Sequence, residues 1–174
     1  MNALEKMFPS LALFSDLNWS SVTEEYESSY IDYTFPEYLQ IKALDDDCPP
    51  YLFELAFYEQ ALNDAKTSVV PFPHQPGVYL NPTALFLSLE FDVVQMLHDA
   101  TVGKIEVHER EHVLCVFRDT ADNVHPIQLS EDCLQLLGNL EDGPQNDYDF
   151  IKPTDSENFQ TLVSKGLVLD LLQK

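Results

Sequence analysis

Basic residues are scarce: nine lysines and arginines stand against thirty aspartates and glutamates in 174 residues, a formal charge of −21. A field of that sign repels phosphate backbones and the anionic leaflet of a membrane, which argues against nucleic acid or membrane as a partner. Cysteine is equally sparse. Cys48, Cys115 and Cys133 are odd in number and form no CxxC pair, so neither a disulfide framework nor a structural zinc site is indicated, and reduced, mostly buried thiols are expected. The five glycines form no phosphate loop and no G-x-S-x-G elbow. No run approaches the eighteen apolar residues of a membrane span, and the first fourteen residues lack the cationic start and apolar stretch of a signal peptide, so a cytoplasmic protein is expected.

What is present is ample apolar material, 45% of residues with 11% aromatic, enough to pack a core. The first eighty residues read as helices separated by proline-containing loops. Thr34 and Glu37 form a capping-box pattern around Phe35-Pro36, and Asp45-Asp46-Asp47 precede Pro49 and Pro50 where the next helix begins. Between Tyr51 and Ala65, the residues Tyr51, Leu55, Tyr58 and Leu62 fall on one stripe widened by Leu52 and Ala56, with Glu54, Glu59 and Asp64 off its centre. A loop from Ser68 to Pro82, with Pro71, Pro73, Pro76 and Gly77, marks a boundary.

Beyond it the period changes from helical to alternating. Leu85, Leu87, Leu89 and Phe91 alternate with Ser88, Glu90 and Asp92, which predicts a strand that only Phe86 interrupts. The runs Lys104–Val107, His112–Arg118 and Val124–Leu129, divided by polar turns such as Asp119 to Asn123, predict a three-stranded antiparallel meander. Pro126 cannot donate a ladder hydrogen bond, so the third strand belongs at an edge, where a strand from outside can add. Ser130 then caps a helix carrying Cys133, Leu134, Leu137 and Leu140, and a linker from Glu141 to Pro153 leads to a second capping box at Thr154 and Glu157. Phe159, Leu162 and Val163 form a short apolar face ended by Gly166, and periodicity leaves Leu167 to Leu172 open between strand and helical turn. The expected fold is α+β: a helical domain over residues 1–80, then a winged-helix-like domain with a small antiparallel sheet over 81–174.

His108-Glu109-Arg110-Glu111-His112 spells HExxH, which on a helix places two imidazoles on zinc and a glutamate over the bound water. The alternative functional reading is therefore a zinc hydrolase using His108, Glu109 and His112, with Glu131 as the nearby acid resembling a third ligand. Val107 and Val113 on either side suit β-rich sequence, and a hairpin turn explains the segment better. His74, His98 and His125 are dispersed, the carboxylates read as solvated faces, and no catalytic set emerges.

The order of three strands, helix, linker and helix resembles the small winged-helix-like module that binds leader peptides of ribosomally made natural products. Ile127-Gln128-Leu129-Ser130, the run from Leu136 to Gly143, and Phe159 through Leu162 to Leu167 resemble its strand, its helix ending in Asp-Gly and its terminal helix. In such modules the leader adds as a strand at the sheet edge while its apolar side chains enter a groove beside a helix. That resemblance implies strand pairing at Val124, His125, Ile127 and Leu129, with Phe159 and Leu162 lining the groove; simple core packing is the competing role for each. Phe35-Pro36-Glu37-Tyr38-Leu39 and the run from Pro49 to Glu59 resemble the N-terminal helical signature of a broad family once labelled DNA-binding, a label the charge opposes.

Within that family the chain is most similar to the partner proteins of methanobactin biosynthesis, small non-catalytic subunits of iron-dependent enzymes that modify cysteines in copper-binding peptides. The resemblance implies a heterodimer with a TIM-barrel iron subunit that uses dioxygen to convert cysteines of a precursor peptide to oxazolone and thioamide groups. Iron belongs to the large subunit, and this chain holds no cofactor of its own. A scaffold for another peptide-modifying enzyme would share the fold and differ only in partner.

Overall fold

The computed structural model describes residues 3–14, 18–29, 32–141 and 143–172. The fold is α+β, with helices predominating and two small sheets. Among the described residues no helix is long and apolar enough to cross a membrane. The chain packs as two compact units, each drawn from two stretches: Met1–Asn63 with Ser88–His112, and Asp64–Leu87 with Val113–Lys174. A single division near residue 80 therefore gives way to a discontinuous one, because the chain returns to the first unit after its excursion into the second.

The first unit holds α1 (Ala3–Met7), α2 (Trp19–Ser28), α3 (Phe35–Leu44) and most of α4 (Pro50–Thr67). The expected start of α3 forms as read: Glu37 accepts the Thr34 backbone N–H at 2.7 Å and its hydroxyl at 2.8 Å. Phe35, Tyr38 and Leu39 are buried, and Phe35 packs between Phe8 and Tyr26 at 5.2 Å from each ring. In α4 the stripe residues Leu52, Leu55, Ala56 and Tyr58 are buried and Tyr51 and Leu62 half-buried; Glu54 and Glu59 are buried too, which corrects the expectation that these carboxylates are solvated. Helix α4 is covered on more than its apolar stripe, and both acids are held by hydrogen bonds described below.

Strand β1 (Val78–Leu80) lies inside the segment expected to be loop, and β2 (Leu85–Phe91) follows with Leu89 and Phe91 buried and Phe86 exposed. Helix α5 (Val93–Thr101), which periodicity did not single out, is capped by Asp92, whose Oδ1 accepts the Gln95 N–H at 3.0 Å. The meander is β2-β3-β4, with β3 at Glu109–Arg118 and β4 at Val124–Leu129, so β2 and not Lys104–Val107 is its first strand. Asp92 N–H donates to the His108 carbonyl at 2.8 Å, occupying the approach to β3, and Ile105 and Val107 stay exposed.

The second unit closes with α6 (Glu131–Glu141), α7 (Ser156–Lys165) and β5 (Val168–Asp170). Ser130 Oγ accepts the Cys133 N–H at 3.3 Å, the cap expected for α6. The expected box at Thr154 and Glu157 does not form: a 3-10 turn at Pro153–Asp155 precedes α7, and Thr154 donates instead to Asp155 Oδ1 at 2.9 Å. Gly166 ends α7 in the left-handed region at φ 81°, and this lets the chain turn directly into β5. Strand β5 pairs antiparallel with β1, Tyr79 opposite Leu169, which resolves the open choice at the C-terminal end in favour of a strand. Asp142, in the run ending at Gly143, lies outside the described residues. The core of this unit gathers Val78, Cys115, Phe117, Leu129, Leu136, Leu137, Leu140, Phe159, Leu162, Leu167 and Val168.

Candidate peptide-binding edge

Strand β4 neighbours only β3 within its sheet, so the edge expected from Pro126 is present. The register sets Val113 opposite Leu129, Cys115 opposite Ile127, Phe117 opposite His125 and Arg118 opposite Val124. Cys115, Phe117 and Leu129 belong to the buried core and Ile127 packs against it, so the odd-numbered positions of β4 face inward. His125 lies over Phe117 with ring centroids 5.5 Å apart, and its Nε2 sits 2.7 Å from Asp119 Oδ2.

Which backbone groups face the free edge follows from the ladder. Antiparallel pairs alternate between hydrogen-bonded and non-bonded. Asp119 N–H donates to Asn123 C=O at 2.8 Å, while Arg118 sends its N–H to Thr83 Oγ1 at 2.9 Å and its carbonyl to Asn81 Nδ2 at 2.9 Å, away from β4. Arg118–Val124, Val116–Pro126 and Leu114–Gln128 are thus the non-bonded pairs. Val124, Pro126 and Gln128 direct their backbone groups outward, with Pro126 offering a carbonyl alone. Among the described residues no backbone partner within the chain meets these groups. Of the four positions expected to pair with a peptide, Val124 presents its backbone to the free edge, whereas His125, Ile127 and Leu129 turn theirs to β3.

The hairpin is fixed from its turn. Asp119 Oδ1 accepts the Ala121 N–H at 2.8 Å and the Asn123 N–H at 2.9 Å, an Asx-type closure, and Asp122 takes the left-handed conformation at φ 65°. The contact with His125 and the turn N–H groups hold the Asp119 carboxyl well below the usual carboxylate range.

Phe159 and Leu162, expected to line a groove, are 3% and 2% exposed and belong to the core that also takes Leu129 and Ile127. The structure gathers these four in and around one core. Phe159 alone of the α7 pair also reaches a surface groove of about 320 Å³, shared with Tyr148, Ile151, Lys152, Pro153, Ser156 and Gln160. Tyr148 and Phe150 meet its ring edge-on at 6.1 and 6.2 Å.

The HExxH segment is neither a helix nor a hairpin tip. Glu109 through His112 open β3, where four residues at about 3.3 Å each separate the two histidines by roughly 13 Å along the strand, too far for one zinc ion. His108 Nε2 lies 2.8 Å from Asp99 Oδ2, His112 Nδ1 lies 2.8 Å from the Arg110 carbonyl, and Glu109 is exposed. Glu131 is exposed on the first turn of α6. The zinc-hydrolase arrangement of His108, Glu109 and His112 is therefore set aside.

Two acids that sequence reasoning assigned to solvent are structural anchors of the first unit. Glu54 accepts the Glu90 N–H at 3.0 Å and the Phe91 N–H at 3.0 Å, serving the end of β2; burial nevertheless outweighs these bonds and raises its carboxyl above the usual range. Glu59 accepts the Ser10 hydroxyl at 2.7 Å and N–H at 3.2 Å through Oε1, while its buried Oε2 has no partner among the described residues, and burial raises its carboxyl as well. Their place within the apolar run from Tyr51 to Ala61, broken otherwise by Gln60 alone, was the sequence signal of burial. The chain matches no protein-family model and no curated protein.

Proposed function

We propose that this chain is a non-catalytic, cytoplasmic subunit that holds the leader of a precursor peptide by strand addition and presents its cysteines to an iron-bearing partner. The observation that carries the reading is the free edge of β4, whose outward groups at Val124, Pro126 and Gln128 have no backbone partner within the described residues. An open edge is a template for another strand; Pro126 blunts it at one position by lacking a donor, while Val124 and Gln128 keep theirs. Resemblance to the methanobactin partner proteins supplies the chemistry: the large subunit would carry iron and use dioxygen to form oxazolone and thioamide groups. The winged-helix-like description of the second unit belongs to the same reading, supported by β3, β4, α6 and α7 sharing one core.

Strand addition at β4 would anchor the leader by main-chain hydrogen bonds, which are tolerant of sequence, while the groove at Phe159 would accept an apolar side chain. Holding the leader remote from the reacting cysteine raises that cysteine's effective concentration at the metal without any bond-making by this subunit. The charge of −21 favours a leader bearing lysine or arginine and speeds its encounter.

The test is co-expression with a methanobactin-type iron subunit, size-exclusion chromatography, and titration with a fluorescently labelled synthetic leader. Co-elution, with leader binding that requires this chain, is the expected result. Separate elution with no leader binding would return the scaffold for a different peptide-modifying enzyme to first place.

A further inference from the structure

A separate feature of the first unit concerns His108 without the rest of its motif. Asp99 near the end of α5, Glu106 in the segment after it, and His108 bring three ligand atoms within 4.8 Å of one another. Glu106 and His108 come from the segment between α5 and β3, and their ligand atoms meet that of Asp99 at the helix end. His108 Nε2 and Asp99 Oδ2 are 2.8 Å apart. Two donors about 2.1 Å from a tetrahedral zinc are about 3.4 Å apart, so the hydrogen-bonded pair needs to part by only about 0.6 Å to become adjacent ligands.

The support around the trio is also of the kind a metal site needs. Gln95 Nε2 donates to Asp99 Oδ1 at 2.7 Å, leaving Oδ2 directed at the imidazole. The His108 backbone is tied to Asp92 and the chain reversal before it is fixed by Lys104 N–H on the Asp99 carbonyl at 3.0 Å. Asp99 and His108 are half-buried while Glu106 is exposed, which leaves room for water in the remaining positions.

The geometry points to a divalent-cation site formed by Asp99, Glu106 and His108, of the borderline class that accepts one imidazole with two carboxylates, zinc foremost. Binding replaces the hydrogen bond between His108 and Asp99 with two metal bonds and clamps the end of α5 to the segment leading into β3. It needs no partner subunit and does not depend on the proposed function.

The experiment is calorimetric titration of the full chain with zinc chloride, paired with thermal unfolding and with backbone amide shifts by NMR. One equivalent of zinc should bind, raise the midpoint of unfolding and shift the amides of Asp99, Glu106 and His108. His108→Ala should abolish this binding. Glu106→Gln, an exposed and conservative change, should weaken it at least tenfold with the fold retained, and His112→Ala should leave it unchanged. No stoichiometric binding would overturn the site, as would binding that survives both His108→Ala and Glu106→Gln, or binding lost equally in His112→Ala.

Discussion

Glu54 and Glu59 illustrate how a carboxylate can serve a fold while opposing its own ionisation. Removing Glu54 as Glu54→Ala leaves the Glu90 and Phe91 N–H groups without their acceptor and should lower the unfolding free energy by about 2–4 kcal/mol, read from urea denaturation; a loss below 0.5 kcal/mol would contradict the anchoring role. Burial raises both carboxyls, and Glu59 offers the simpler pH test. Its folded value is raised, so the folded chain holds the proton more tightly than the unfolded one, and stability falls as pH climbs from the unfolded value through the folded one. Glu59→Gln keeps an acceptor for Ser10 without the buried charge, and the decline in unfolding midpoint from pH 5 to pH 8 should shrink relative to the parent. An unchanged slope would place the titration elsewhere. The cysteines offer a simpler check. Cys48 and Cys115 are buried and Cys133 is half-buried, and burial pushes the Cys115 thiol up to about 12. Iodoacetamide should modify Cys133 in the native chain and reach Cys115 only on unfolding.

At the scale of the element, the β3–β4 hairpin separates two ways of disturbing a peptide edge. Ile127 turns its N–H toward β3, so proline there breaks the hairpin itself and cannot report on peptide pairing alone. Gln128 turns its N–H outward, and Gln128→Pro removes one edge donor while keeping the ladder with Leu114 unbonded as before. Leader affinity should fall about tenfold with unchanged circular dichroism, and full affinity in that folded variant would rule out this edge. Asp119→Ala acts through the turn instead: amide exchange across Val124–Leu129 should rise while α3 stays protected. The same hairpin was well marked in the sequence, because β-branched runs, a polar turn and Pro126 are all local signals. The pairing of β1 with β5 was not, since Val78 and Asp170 find each other across the whole second unit.

At the scale of the molecule, the surplus of acid is the property a partner meets first. A cationic leader should associate more slowly as salt rises, with the on-rate dropping about tenfold between 50 and 500 mM sodium chloride, measurable by stopped-flow fluorescence; salt-independent rates would remove electrostatic steering from the account. The two compact units are interleaved in sequence, so truncation near residue 80 should yield fragments that do not fold cooperatively, and cutting there is a poor way to isolate the edge.

Composition, the start of α3, the α4 stripe, the β3–β4 hairpin, the Ser130 cap and the stop at Gly166 were settled by the sequence alone, because each depends on neighbours a few residues apart. Tertiary structure decided the rest. It buried Glu54 and Glu59 by supplying distant N–H partners, gave the place beside β3 to β2 instead of Lys104–Val107, and turned His125, Ile127 and Leu129 inward. It also stretched HExxH along a strand and joined His108 to Asp99 and Glu106. The physical reason is common to all of these: motif spacing has chemical meaning only once the backbone period is known, and that period is chosen by which elements share a core.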